Sequence, residues 1–282
     1  MRWLLVATLL IPFAADARPK RPLPEPKGGA GPKGKAGGAC GAKVMPLVAG
    51  NQWTYVAIPA PQPPTDQIKR LSPTQPKTIQ VTVKTVEAKG GEYVATLEEK
   101  LTIDRTKDEK KPQVEEYTYT STINCTDKKF NISPNSFFFA GEPGGYLGLE
   151  IDKLDRVKGT SWQLTKGSIG EAGWGEDLVM HWKRLPVEGS DAKLGSGKIE
   201  LERRFTPQDP EPVSTKPGKY NAEKVGLITT GRVTLEGGSP NAKPMELPAG
   251  WFNTLWIAEN VGVVQVLNNF SHMYQLTAVT LK

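Results

Sequence analysis

From Cys40 onward, apolar and polar side chains alternate. QVTVKTV places Val81 and Val83 between polar neighbours, and YTYTSTI puts Tyr117, Tyr119, Ser121 and Ile123 on one face. KIELERRF sets Ile199, Leu201 and Phe205 opposite Lys198, Glu200, Glu202 and Arg204, and HMYQLTAVTL closes the chain in the same way. A period of two with β-branched and aromatic residues is the signature of antiparallel strands buried on one face. Turn chemistry separates the runs: KGGE at 89–92, DRTKDEKK at 104–111, EPGG at 142–145 and EGGSPN at 236–241. About a dozen strands are expected, and no segment carries a sustained helical stripe. TDQIKRL at 65–71 is long enough for one or two helical turns.

The expected fold is all-β: a single large antiparallel sheet curled into an open half-barrel or sandwich, with few short helices. One domain over residues 40–282 fits the size range of all-β sheets, with two smaller sandwiches as the alternative. No shift in composition marks a boundary between them.

The start of the chain breaks the alternation. Arg2 precedes an apolar run from Trp3 to Ala15, and Ala15-Asp16-Ala17 supplies small residues around a cleavage point. This is the layout of a secretory signal peptide over residues 1–17. The run is shorter than the roughly 20 apolar residues that a spanning helix requires, so the chain is not expected to span a membrane. Residues 18–39, RPKRPLPEPKGGAGPKGKAGGA, cannot bury enough apolar surface to offset the entropy of ordering and read as a disordered Pro/Gly/Lys tether. The string Gly29, Gly31, Gly34 inside it matches a phosphate-loop spacing. It lacks the flanking strand and helix that such a loop needs.

The net charge of +6 follows the same division. The first 43 residues hold eight basic and two acidic side chains, which leaves the rest of the chain balanced. A nucleic-acid binder carries its positive charge on the folded surface, so nucleic acid is not an expected partner. The basic tether is either a solubilising spacer or a contact for anionic envelope surfaces. The two cysteines, Cys40 and Cys125, are expected to form one disulfide in an oxidising compartment. The lack of a cysteine directly after the apolar run disfavours a lipid anchor.

Catalytic and metal signatures are sparse. His181 and His272 are the two histidines, each inside a strand pattern. There is no GxSxG elbow, HExxH, CxxC or acidic calcium loop, and no cofactor or metal site is expected. GSIG at 167–170 and GSG at 195–197 read as turns, and EAGWGED at 171–177 as a mobile loop. Aromatic residues are more suggestive. Trp53, Tyr55, Phe138, Trp162, Trp182 and Trp256 lie in or beside strands, where they either fill a two-layer core or line a pocket for an apolar ligand.

Four segments, in order, resemble a known group. MPLVAGNQWTYV (45–56), KGTSW (158–162), KPGKYNAEKV (216–225) and LWIAENVGVVQV (255–266) are similar to elements of the DUF3108-like and TapB-like secreted bacterial β proteins. That group is related in architecture to the LolA and LppX lipoprotein-carrier half-barrels. The resemblance implies an open antiparallel sheet around an apolar interior, and says little of activity. In the KPGKYNAEKV hairpin it places Gly218 at the turn and Tyr220 inward. The resulting expectation is a secreted or periplasmic, non-enzymatic envelope protein holding an apolar or lipid-like ligand inside a curved sheet. A filled-core structural or protein-interaction module, with an envelope protein as partner, and a cell-wall hydrolase are the alternatives.

Overall fold

The computed structural model describes residue 40 and residues 43–106, 110–144, 149–184, 195–236 and 244–282. The expected leader (1–17) and tether (18–39) lie outside the described residues. The chain forms strands β1 (Gln52–Ile58), β2 (Thr78–Lys89), β3 (Glu92–Asp104), β4 (Val114–Cys125), β5 (Lys129–Ile132), β6 (Leu149–Gly159) and β7 (Trp162–Thr165). They are followed by β8 (Ser168–Ile169), β9 (Trp174–Arg184), β10 (Ser196–Ser214), β11 (Lys219–Glu236), β12 (Met245–Ala258), β13 (Gly262–Leu267) and β14 (Met273–Thr280). Two short helices interrupt them, α1 (Asp66–Leu71) and α2 (Phe137–Ala140). Thr65 caps α1 by accepting from Ile68 N at 3.3 Å.

The strands make one antiparallel sheet, in the order β6-β9-β10-β11-β12-β13-β14-β1-β2-β3-β4-β5-β7-β8. The described strands do not divide into two sheets. The fourteen described strands slightly exceed the expected dozen, and β5, β7 and β8 are too short to display a period. GSIG contributes β8 and GSG opens β10, where turns were expected. The KGGE turn is as tight as its sequence demands: Lys89 pairs with Glu92 while Gly90 and Gly91 take φ of +60° and +84°, the region that glycine enters without strain.

The sheet has to curl. β6 stands at one end of the strand order and β7 near the other, yet three residue steps join Gly159 to Trp162. Such a link reaches at most about 10 Å. The two ends are therefore brought together along a seam that side chains fill. Ile132 N donates to Ser161 Oγ at 3.1 Å, Thr160 Oγ1 donates to Phe130 O at 2.8 Å, and Arg156 Nη2 reaches Ile132 O at 3.4 Å. No backbone ladder joins β6 to β5 or β7 among the described residues, so the sheet stays open. Gly159 and Gly175 permit the approach of β6 to β9: a Cβ on Gly159 would lie 1.9 Å from Gly175 O.

The inward slots of the strands form one continuous apolar core, from Trp53, Ile79 and Leu97 on one side to Phe205, Leu227 and Val263 on the other. The segment ahead of β1 closes it at the turns. Val44, Met45 and Leu47 are buried, Lys43 N donates to Gly167 O at 2.8 Å, and Asn260 N donates to Lys43 O at 2.5 Å. Cys40 is bonded to Cys125 at the end of β4, with Cα atoms 5.7 Å apart. The closed loop spans 85 residues, for which the chain-entropy model gives roughly 4.5 kcal/mol. A Cys40→Ser, Cys125→Ser variant is expected to lose up to that amount in urea unfolding. An unchanged midpoint would remove the disulfide from the list of stabilising elements.

Candidate functional site

The interior of the curl is occupied by α2. Its sequence, FFFA, buries Phe137, Phe138 and Phe139. Phe138 meets Trp53 edge-on at 6.3 Å between centroids, and Phe137 packs against Tyr55 at 4.7 Å and Tyr274 at 5.8 Å. A helix of one turn cannot satisfy its own peptide groups, and within an apolar core each unpaired group costs about 1–3 kcal/mol. The sheet supplies the partners.

At the N-terminal end the partner is Glu99. It takes Phe137 N at 2.8 Å, and the hydroxyls of Ser136 at 2.9 Å and Ser121 at 2.6 Å. At the other end Arg203 Nη2 donates to Phe139 O at 2.5 Å, and Asn253 Nδ2 donates to Ala140 O at 2.8 Å. The Arg203 guanidinium lies 3.7 Å from the centre of the Phe139 ring. Its charge is met by buried Glu176 at 2.5 Å, which also binds Arg156 at 2.8 Å and Ser161 at 3.0 Å. Just past the helix, Glu142 Oε1 receives the Tyr274 hydroxyl at 2.6 Å and lies 2.5 Å from His272 Nδ1.

Electrostatics follow the burial. Loss of water pushes Glu99 up to about 7 against the pull of its three donors. Burial, and then the Glu99 charge, raise the Tyr55 hydroxyl well above the ordinary phenol value. Burial lowers Arg203 to about 10, opposed by Glu176, so the guanidinium stays charged at neutral pH. The carboxylates in the interior act as clamps on α2 and on the seam. EAGWGED belongs to this framework: Trp174–Asp177 opens β9, and Glu176 is fully buried.

The six aromatics singled out from the sequence take several places. Trp53, Tyr55 and Phe138 come together around α2, with Trp53 Nε1 and Tyr55 OH donating to Val261 O at 2.6 Å and Val263 O at 2.8 Å. Trp162 stacks on Phe130 at 5.6 Å beside the seam. Trp182 is buried on β9, and Trp256 on β12 donates to Glu211 beneath the Lys224 ammonium. The two histidines stay apart, His181 exposed on β9 and His272 beside Glu142.

A groove of about 640 Å³ lies outside the core, where β12, the β13–β14 turn and the β1–β2 connection meet. Ile68, Trp251, Phe252, Leu267 and Phe270 give it apolar walls, and Gln62, Asn268, Asn269 and Ser271 supply polar groups. None of the six aromatics lines it.

Sequence reasoning missed the clamp, although a signal was present. Glu99, Glu176 and Arg203 each occupy an inward slot, between Leu97 and Leu101, Trp174 and Leu178, and Leu201 and Phe205. A charge in an apolar register is either an error of register or a buried partner. The groove has no comparable signal, because it is assembled from one strand and two connections that are separate in sequence.

No family model matches the chain, and no curated protein does. Among solved structures it is similar to a provisionally assigned lipoprotein from Parabacteroides distasonis, at 12% identity and a TM-score of 0.46. It is also similar to an exported protein with a YmcC-like fold from Bacteroides fragilis, likewise provisionally assigned, at 13% identity and a TM-score of 0.42. Each likeness covers 85% of this chain and 99% of the other.

Two outcomes follow. The folded chain holds the Glu99 proton up to about pH 7, whereas the unfolded chain releases it near 4.5. The resulting stability is complete below that lower value and is lost as pH rises through 7, by roughly 3 kcal/mol. Glu99→Gln is expected to flatten this part of the pH profile in urea unfolding, and a profile that keeps its slope would contradict the assignment. Arg203→Met strips Phe139 O of its donor and leaves Glu176 with Arg156 and Ser161. The expected loss is about 3–5 kcal/mol, and a loss below 1 kcal/mol, by the same measurement, would show that the pair is dispensable.

Proposed function

We propose that this chain is an exported, non-enzymatic cell-envelope protein that binds an apolar or amphipathic small ligand in the groove beside β12. The observation that carries the reading is the division of apolar surface. The interior of the sheet is taken up by Phe137–Phe139, while Ile68, Trp251, Phe252, Leu267 and Phe270 surround about 640 Å³ that no described side chain fills. That volume lies within the range of small-molecule pockets, which combine apolar walls with a few polar groups. Phe252 is 49% exposed, so its ring is available to a ligand. The leader-like start of the sequence supports export, and no helix among the described residues is long and apolar enough to cross a membrane. The engagement of Glu99, Glu142 and Glu176 within the framework supports a role without catalysis.

This reading puts the ligand outside the sheet and not within it, and the two locations can be separated. Titration with a dansyl-labelled fatty acid is expected to give saturable binding, with energy transfer from Trp251. Phe252→Ser together with Leu267→Ser is expected to weaken it about tenfold or more, as loss of part of an apolar contact entails. Phe138→Leu should leave the affinity unchanged. Absence of saturable binding would refute the proposal, and a loss confined to Phe138→Leu would move the ligand into the interior.

A further inference from the structure

The two flanks of the open sheet are built differently. β6 is broken by register shifts between Ile151 and Lys153 and between Arg156 and Lys158, and it carries Asp152, Lys153, Asp155 and Lys158. Bulges and charges of this kind prevent a free edge from pairing with another strand. Over Glu116–Ser121 β4 has no bulge, and Glu116 is its one charge. Its ladder to β3 runs without a shift, and the stretch YTYTS holds no charge and no proline.

β4 is also uncovered. β5 pairs only with Ile123–Cys125, and among the described residues no strand lies outside Val114–Ser121. Val114 and Tyr117 are 55% and 38% exposed there. The outward direction of each peptide can be read from Thr122, whose carbonyl accepts from Ser133 N at 2.9 Å and whose N–H donates to Ser133 Oγ at 3.2 Å, both on the β5 side. Successive residues of a strand alternate, so Thr120, Thr118 and Glu116 also direct N–H and C=O outward.

We propose that β4 is a homodimerisation edge, on which two copies of this chain pair Glu116–Thr120 antiparallel about a two-fold axis at Thr118. In this register Thr118 of one copy faces Thr118 of the other, and each Glu116 faces Thr120. Every outward peptide group from 116 to 120 then finds a partner, and no two like charges are opposed. Tyr117 falls opposite Tyr119 at the non-hydrogen-bonded positions, where side chains approach most closely. Within one chain these rings are already stacked at 6.4 Å, and Glu115 holds the Tyr117 hydroxyl at 2.8 Å. The second copy extends that stack to four rings. The pairing is isologous, as a two-fold interface requires, and the match of each Tyr117–Tyr119 pair with its own copy, with no like charges opposed, argues for a second copy over an unrelated extended peptide.

Sedimentation velocity of the purified protein, from the low micromolar to the millimolar range, tests this. A reversible monomer–dimer equilibrium is expected. Thr118→Pro removes an outward N–H that β3 does not use, and should weaken dimerisation at least about tenfold with the melting temperature nearly unchanged. Thr118→Lys sets two ammonium groups face to face, and its weaker dimer should recover partly in high salt, which misfolding would not produce. Val157→Lys, on the charged flank, should have no effect. A monomer throughout the range would overturn the proposal, even one that captures another protein along β4. So would a dimer indifferent to both Thr118 variants.

Discussion

Peptide groups placed in an apolar interior have to be paired, and a helix of four residues leaves nearly all of its own unpaired. The structure depends on how this constraint is met at α2. Three phenylalanines supply the bulk that fills the curl, but they bring in a turn of backbone that water cannot reach. Glu99 and Ser136 answer its N–H groups, and Arg203 and Asn253 answer its carbonyls. The apolar gain and the polar cost arrive in the same short segment. The segment is therefore stable only in the one position where all four partners coincide.

The same charges join the two ends of the sheet. Arg203 lies on β10 and Glu99 on β3, so the two clamps hold α2 from opposite halves of the strand order. Glu176 connects Arg203 to Arg156, and Arg156 reaches the carbonyl of Ile132 on β5. A continuous path of buried polar contacts thus runs from the plug to the seam. It does for the open sheet what a ladder of backbone bonds does for a closed barrel. Beyond Ile132 no backbone ladder joins the flanks among the described residues.

Much of the fold was legible in the alternation of side chains. The inward sets on β2, β4 and β10 follow from the period alone, as does the turn at Gly90–Gly91. A curled open sheet was among the expectations, but its cause was not legible from any strand, since it is imposed by a three-step link between β6 and β7 and by a plug whose helix is shorter than a helical period can reveal. The six aromatics were correctly read as strand-associated, but their distances depend on which strands meet, and strand order is not written in a period of two. The clamp was hidden for a different reason. Glu99, Glu176 and Arg203 look like ordinary polar residues until the register shows them facing inward, and the groove residues acquire a common location only after the sheet has curled.

Native-state hydrogen exchange at Phe137, Phe138, Phe139 and Gly141 tests the central claim most directly. All four amides are hydrogen-bonded, to Glu99, Ser136 or the helix itself. If α2 is clamped from both halves of the sheet, these amides exchange only when the whole domain unfolds, with the same free energy as the central strands β1 and β14. Exchange through local opening, at a free energy well below that of those strands, would mean that the plug moves independently and that the buried charges do not hold the structure together.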